Sequence, residues 1–519
     1  MGALVALGGA ALAATPVNAE DAALRIVAHA DLVNIDPIWT TAYITRNHGY
    51  MVYDTLFAMD ENFDVRPQMV DSWEVSEDGL VYTFVLRDGL KWHDGEPVTA
   101  EDCVASIKRW GARDGMGQML MDVIESLEAV DDKTIRLALS EPYGLVLESL
   151  GKLSSNVPFM MPKRLAETDP FEQVPEVIGS GPFIFVEEAW DPGSLVVYVR
   201  NEDYVPRDEP PSGAAGGKVA KVDRVEWHYI PDPTTAMSAL TAGEIDYWEN
   251  PPQDLVPILA DTPGIVTELL DPLGNMGMLR MNHLYPPFDH PAARQAMLWL
   301  IDQETYMRAA VGNPDYYDYC YSVFACGSPL ESEIGAEPLR QQDVEKARQL
   351  FEEAGYDGGP VLVLQSTDIP VLSASALVTA QLLRDAGVNA ELVAMDWATL
   401  TSRRASQEPP DQGGWNIFHT WSIGADVLDP TWIVLSAGGR ERAWFGWPED
   451  ERMEELRAAF ARETDPEKRA AIAEQVQERA YEIVTHATTG VWFNPVAYRD
   501  NISGVIRSPV QFFWNIAKG

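Results

Sequence analysis

Asp426 and Asp429 stand three residues apart and run into Pro430, directly after Trp415-Asn-Ile-Phe-His-Thr-Trp421-Ser-Ile-Gly424-Ala. The first part of this stretch is short, aromatic and β-prone, which predicts a buried strand ended by Gly424. A carboxylate just past a strand end sits where α/β proteins place ligand-facing groups, on loops held by a rigid sheet. Its chemistry there is capture of a cationic group, because a charge enclosed without a partner is costly. Asp429, directly before Pro430, has a cap or turn duty. Asp426 has no visible structural duty, so its two readings are a ligand-facing carboxylate and an exposed loop acid.

Tryptophans gather around these acids: Trp397, Trp415, Trp421, Trp432, Trp444 and Trp447. Their faces attract cations, with ~0.5–2 kcal/mol per contact, and stack on flat or apolar groups. Most of the six read as core, with Trp421 and Trp444 the candidates for a cleft and Trp397 close in sequence to Arg403 and Arg404. Near the other end of the chain, an extended edge at Asp31-Leu32 precedes the aromatic segment Trp39-Thr-Thr-Ala-Tyr43. Asp31, Leu32, Trp39 and Tyr43 could line the same cleft, with core packing the alternative for the two aromatics. Catalytic constellations are missing: there is no Gly-x-Ser-x-Gly elbow, no His-Glu-x-x-His and no Gly-x-x-x-x-Gly-Lys. His283 and His290 lie in a Pro-rich turn and read as isolated surface histidines, and His419 precedes the acids, with a side chain aimed into the sheet as the alternative to a ligand role. The sequence therefore describes a binder without cofactor or metal, not an enzyme.

The elements that must hold these residues alternate. Val361 to Gln365 reads as a strand, Ser373 to Asp385 as a helix ended by Gly387, and Ala390 to Ala394 as another strand, the pattern of a doubly wound sheet. The helix from Glu467 to His486 puts Ile472, Val476, Ala480 and Ile483 on one core stripe. Leu24 to Ala30 reads as a strand, and a helix starting near Tyr43 reaches Tyr53 and Leu56.

At 519 residues the chain exceeds one compact core, so two or three domains are expected. Its 80 acidic against 38 basic residues repel phosphate backbones, which argues against nucleic acid. Met1 to Ala19 is apolar, ends in small residues and reads as a secretion signal, although no Lys or Arg precedes it. In an oxidising compartment Cys320 and Cys326 can bridge a small turn, leaving Cys103 a buried free thiol.

From Pro67 the chain reads Pro67-Gln-Met-Val-Asp-Ser-Trp73, Asp78-Gly79, Tyr82-Thr-Phe84-Val-Leu86-Arg87-Asp-Gly89, Trp92-His-Asp94-Gly95 and Val98-Thr99-Ala100-Glu-Asp102. This is a hairpin turning at Asp78-Gly79, then a second turn, then a helix capped by Thr99 with Asp102 in capping-box position. The run resembles the signature of the peptide, oligopeptide and nickel family of solute-binding proteins that serve ABC importers. Gly179-Ser-Gly181-Pro182-Phe183, Ala242-Gly243-Glu244-Ile245-Asp246, Arg280-Met-Asn282, Pro287-Phe288-Asp289 and Asp426 to Pro430 extend the resemblance over nearly the whole chain.

The resemblance implies a pear-shaped α/β molecule of two lobes with a hinge plus an accessory domain. The first lobe would comprise 20–54, 177–272 and 487–519, the accessory domain 55–176 and the second lobe 273–486. A monomeric periplasmic receptor would then deliver a short peptide, or a cationic, aromatic or metal-chelate solute, to a membrane permease. In peptide-binding relatives an aspartate of Asp-x-x-Asp-Pro holds the peptide's amino terminus, and Asp426 occupies that position. Dipeptide-binding relatives carry an arginine for the carboxylate after the strand that opens the second lobe's repeat. Here that place reads Ser366-Thr367-Asp368-Ile369-Pro370, so Asp368 is either a second ligand-facing acid or a turn residue, and Arg403 and Arg404 are the nearest substitutes for the arginine.

Overall fold

The computed structural model describes residues 23–519, so the leading segment Met1 to Ala19 lies outside the described residues. Two mixed sheets organise the chain. The first has seven strands in the order Ile265–Glu268, Val496–Arg499, Tyr247–Trp248, Ala23–Val27, Arg224–His228, Leu195–Arg200 and Phe183–Phe185. The second has six, in the order Tyr317–Asp318, Ala487–Trp492, Asn275–Met281, Ile417–Ile423, Val361–Ser366 and Ala390–Met395. A separate four-stranded antiparallel sheet, Val70–Val75, Val81–Leu86, Thr134–Leu139 and Ile124–Ala129, contains the signature hairpin.

Local chemistry accounts for these elements. Gly79 takes φ 71° in the hairpin turn, a conformation that suits glycine. Thr99 and Asp102 form a reciprocal capping box at the start of Ala100–Gly111. The helix Pro370–Asp385 begins earlier than its apolar spacing suggests, because Pro370 fits the first helical turn, and it buries Leu372, Ala376, Ala380 and Leu383. The last long helix spans Pro466–Ile483 and buries Val476 and Ala480 at the expected stripe.

Three differences from the sequence reading bear on the site. Residues 487–492 pair in the second sheet and not the first: Ala487–Trp492 runs antiparallel to Asn275–Met281. The strand is buried throughout, and the chain returns to the first sheet only at Val496. The helix after Trp39 is Tyr43–Val52 and stops before Leu56, since Tyr53 is already extended. Ile44 to Val52 are all buried, which makes this helix an internal element despite its Arg46, Asn47 and His48. His283 is no surface histidine either: it is half-buried, lies 3.1 Å from the Val484 carbonyl, and burial holds its pKa well below the usual imidazole range.

The second lobe is pinned by an acid-free arginine. Arg280 is fully buried and donates to the carbonyls of Phe445, Val434, Thr485 and Trp444, at 2.6, 2.9, 2.5 and 3.4 Å. Cys320 and Cys326 are joined as a disulfide with Cα atoms 5.8 Å apart, and Cys103 is a buried free thiol.

Candidate ligand-binding site

Val361–Ser366 runs parallel to both Ala390–Met395 and Ile417–Ile423, so the carboxyl ends of all three strands reach the same edge of the second sheet. Open α/β sheets bind ligands in the crevice beyond that edge. The three loops leaving it carry Asp368, Asp396-Trp397 and Gly424-Ala425-Asp426.

Asp426 meets the first lobe there. Tyr43, the first residue of the buried helix Tyr43–Val52, donates a 2.6 Å hydrogen bond from its hydroxyl to Asp426 Oδ2. The same hydroxyl lies 3.4 Å from the backbone nitrogen of Ile423, which donates to it. One helical turn on, the Arg46 guanidinium lies over the Tyr43 ring at 4.6 Å and donates to Ser154 Oγ at 2.6 Å. Burial raises the pKa of Asp426, and Tyr43, Arg46, Lys152 and Ser154 only partly offset it. The other carboxylate oxygen, Oδ1, is buried with no hydrogen-bond partner among the described residues. Such an acceptor costs ~1–3 kcal/mol, a cost that an incoming N–H donor would remove.

A second acid completes the polar floor. Glu249 is buried, accepts from Asn47 Nδ2 at 2.9 Å and from the His29 backbone at 2.9 Å, and lies 2.9 Å from His29 Nδ1. Burial pushes its carboxyl up, but the His29 contacts and Arg46 outweigh it and the net shift is downward. Asn47 Oδ1 in turn accepts from Arg46 at 2.9 and 3.2 Å. One polar chain thus runs from Glu249 through Asn47 and Arg46 to Ser154 and the Tyr43 face.

The wall beside it is aromatic. Trp397 and Trp421 lie 5.6 Å apart, Trp421 and Trp492 6.5 Å, and Trp444 contacts Phe418 and Phe445 at 5.8 and 5.0 Å. Trp397, Trp421 and Trp444 are half-buried, whereas Trp415, Trp432 and Trp447 are core residues at 0, 7 and 4 % exposure. The Arg404 guanidinium lies among Trp397, Phe418, Trp444 and Phe445, 5.0–5.7 Å from each ring.

Other expected residues have structural employment. Asp368 is an exposed turn residue: one of its oxygens accepts from Ser366 Oγ and from the Trp397 backbone, both at 2.8 Å, tying two loops together. These contacts favour the turn-residue reading of Asp368 over the second ligand-facing acid. Asp31 accepts from the Gly193 backbone, Leu32 is buried and its carbonyl accepts from the Trp190 indole, and the Trp39 indole donates to the Phe171 carbonyl. These contacts make Leu32 a core residue and Trp39 part of the seam with the accessory domain. Arg403 donates to the Gly414 carbonyl. His419 is buried against Thr379 Oγ1 at 2.7 Å, with its pKa lowered by burial to about 3. Among the described residues no cluster of metal-ligating side chains occurs, and no helix is long and apolar enough to cross a membrane.

Sequence reasoning missed Arg46, Asn47, Ser154, Glu249, Trp492 and Phe445. Arg46 carried a faint signal, a cation three residues after Tyr43 on one helix face. Ser154 is far from Asp426 in sequence, and nothing local connects the two.

Two sheet-based lobes that meet over a buried carboxylate, with a third domain contributing to the seam, define a bilobal solute-binding protein. Residues 64–442 match the family described as bacterial extracellular solute-binding proteins, family 5 Middle. The chain belongs to that family. It is 42% identical over 486 residues to the probable peptide ABC transporter periplasmic-binding protein y4tO of Sinorhizobium fredii, covering 93% of this chain and 91% of that protein. The binding protein DppA of Helicobacter pylori, solved with the peptide STSA, shares the fold at TM-score 0.79 and 22% identity, over 96% of this chain and 98% of that one. So does AgaA of A. tumefaciens R10, solved with agropinic acid, at TM-score 0.79 and 21% identity, over 96% and 99%.

Proposed function

We propose that this protein is the receptor of an ABC importer that captures a short peptide between closing lobes, with Asp426 holding the peptide's amino terminus. The carrying observation is Asp426 Oδ1, a buried carboxylate oxygen without a donor at the seam between the lobes. An ammonium group supplies both the missing donor and the missing charge. Relatives support the ligand class: the Sinorhizobium protein is named for peptide transport, and the Helicobacter neighbour carries a peptide.

Closure follows the chain path. In this reading the first lobe is 20–54, 177–272 and the segment from Val496, the accessory domain is 55–176, and the second lobe starts at 273. The crossings near Pro272 and between Trp492 and Val496 form the hinge. The receptor works as a monomer in the periplasm, after loss of the Met1 to Ala19 leader, and hands its ligand to membrane permease subunits. The half-buried Trp397, Trp421 and Trp444 favour a second reading, a flat or cationic non-peptide solute held in the same way.

Mass spectrometry of the purified protein, first native and then after denaturation, separates the two. A ladder of short peptides is expected. One recurring small solute would replace the peptide reading with the second.

A further inference from the structure

The short turn Gly424–Asp426 hangs from few points. The Gly424 N–H donates to the Gly274 carbonyl at 2.8 Å, and the Val427 N–H closes the turn on the Gly424 carbonyl at 3.1 Å. From Ala425 to Leu428 the backbone makes one hydrogen bond to another segment among the described residues: the Ala325 N–H donates to the Val427 carbonyl at 3.0 Å. Val427 is fully buried, so water does not readily replace a lost donor there.

Ala325 belongs to the loop closed by the Cys320–Cys326 disulfide. The two ends of that loop are held unequally. Cys320 is fully buried and locked by Gln303, whose side chain accepts from the Cys320 N–H and donates to its carbonyl, both at 2.8 Å. Gln303 also reaches Thr488 of the strand Ala487–Trp492, at 3.2 and 3.0 Å. In mid-loop the Val323 N–H donates to Gln477 on the helix Pro466–Ile483, at 2.8 Å. Cys326, directly after Ala325, is half-buried and makes no backbone hydrogen bond among the described residues. The disulfide therefore carries the fixed position of Cys320 to the residue beside the donor. On the far side, a Cβ placed at Gly327 falls 3.8 Å from Leu273 Cδ2, and one placed at Gly424 falls 2.1 Å from Leu273 Cβ. The loop end and the Asp426 turn thus share Leu273 as a neighbour.

We propose that the loop Cys320–Cys326 is a positioning element of the ligand site: its disulfide fixes the Ala325 N–H, which holds the Val427 carbonyl and so aims the Asp426 carboxylate at the ligand's amine. The last step rests on the peptide reading above. Tyr43 grips only one oxygen of Asp426, so the direction of the other depends on the backbone that carries it. A cross-link with a sequence separation of 6 removes little chain entropy, which makes its effect local and not global.

The test compares wild-type protein with Cys320→Ala/Cys326→Ala in two readouts. Hydrogen exchange of the ligand-free proteins, followed by mass spectrometry, is expected to be at least tenfold faster in the variant over 323–328 and 424–428, and unchanged over the strand Val361–Ser366. A short-peptide pool offered with free and with acetylated amino termini is expected to show a preference for the free amine that is several-fold smaller in the variant. Unchanged exchange over 424–428, exchange that rises equally across the second sheet, or an undiminished preference would overturn the assignment and leave the peptide reading intact. If wild-type protein shows no preference, capture of the amine by Asp426 fails, and the exchange readout alone decides whether the loop positions the turn. Should the double variant not fold, folded wild-type protein is reduced with a water-soluble phosphine that attacks the half-buried Cys326. Phosphine and water then give phosphine oxide and two thiols, and the same outcomes decide.

Discussion

Tyr43 and Asp426 lie 383 positions apart in sequence and 2.6 Å apart in space, hydroxyl to carboxylate, across the seam between two lobes built on different sheets. Tyr43 satisfies one oxygen of Asp426 and leaves the other without a donor. The same contact therefore closes the molecule and keeps a binding group unsaturated.

Removing the hydroxyl should loosen closure. A hydrogen bond to a charged group contributes ~1.5–3 kcal/mol, enough to shift a two-state equilibrium about tenfold or more. Tyr43→Phe is expected to give a larger radius of gyration than wild type in small-angle scattering of ligand-free protein. Identical scattering would mean that the contact does not hold the lobes.

The pH dependence follows from the raised pKa of Asp426, caused first by burial. An acid with a folded pKa above its unfolded value, about 3.9, binds a proton more readily in the folded state. Its contribution to stability is therefore favourable below that window and is lost as pH rises through it. Capture of an ammonium runs the other way, because it needs the ionised form. Affinity for an amine ligand should rise as pH climbs through the raised pKa of Asp426, while the melting temperature of ligand-free protein, relative to Asp426→Asn, falls. Calorimetry and thermal melts of both proteins across that range check the two slopes.

Closure should also be blocked far from the ligand. The Gly144 backbone nitrogen donates to the Ala461 carbonyl at 2.7 Å, where the accessory domain touches the second lobe. A Cβ added at Gly144 would fall 1.9 Å from the Glu463 carbonyl oxygen, well inside contact distance. Gly144→Ala is expected to weaken ligand binding about tenfold by shifting the closed population, without changing ligand selectivity. A titration matching wild type would contradict this.

Asp368 separates a structural acid from a functional one. Asp368→Ala removes acceptors for Ser366 Oγ and the Trp397 backbone at an exposed turn, which should cost ~1 kcal/mol of stability. The preference for free over acetylated amines should not change, because Asp426 alone carries it. A changed preference in the same peptide pool would return Asp368 to the site.

Much of the architecture was legible because it is written in local chemistry. The hairpin at Asp78-Gly79, the Thr99 capping box and the strand ended by Gly424 each follow from a few adjacent residues, and the structure has them. Asp426 stood out because it lacked a local duty. Pairing between distant segments was less legible. Ala487–Trp492 could join either sheet on its own pattern, and only its antiparallel partner Asn275–Met281 decides. Arg46 and Ser154 escaped notice for the same reason, since what brings them to Asp426 is the docking of three domains. Trp421 and Trp444, singled out from the six tryptophans, are half-buried as is Trp397, whereas Trp415, Trp432 and Trp447 are core.

Capture of a free amino terminus by Asp426 is tested by retention of one short-peptide pool, offered with free and with acetylated amino termini, by wild-type protein and Asp426→Asn in parallel. Wild-type protein is expected to hold the free-amine pool at least tenfold over the acetylated pool, and Asp426→Asn, still folded, to hold neither preferentially. Equal retention of the two pools by wild-type protein, or an undiminished preference in Asp426→Asn, would contradict it.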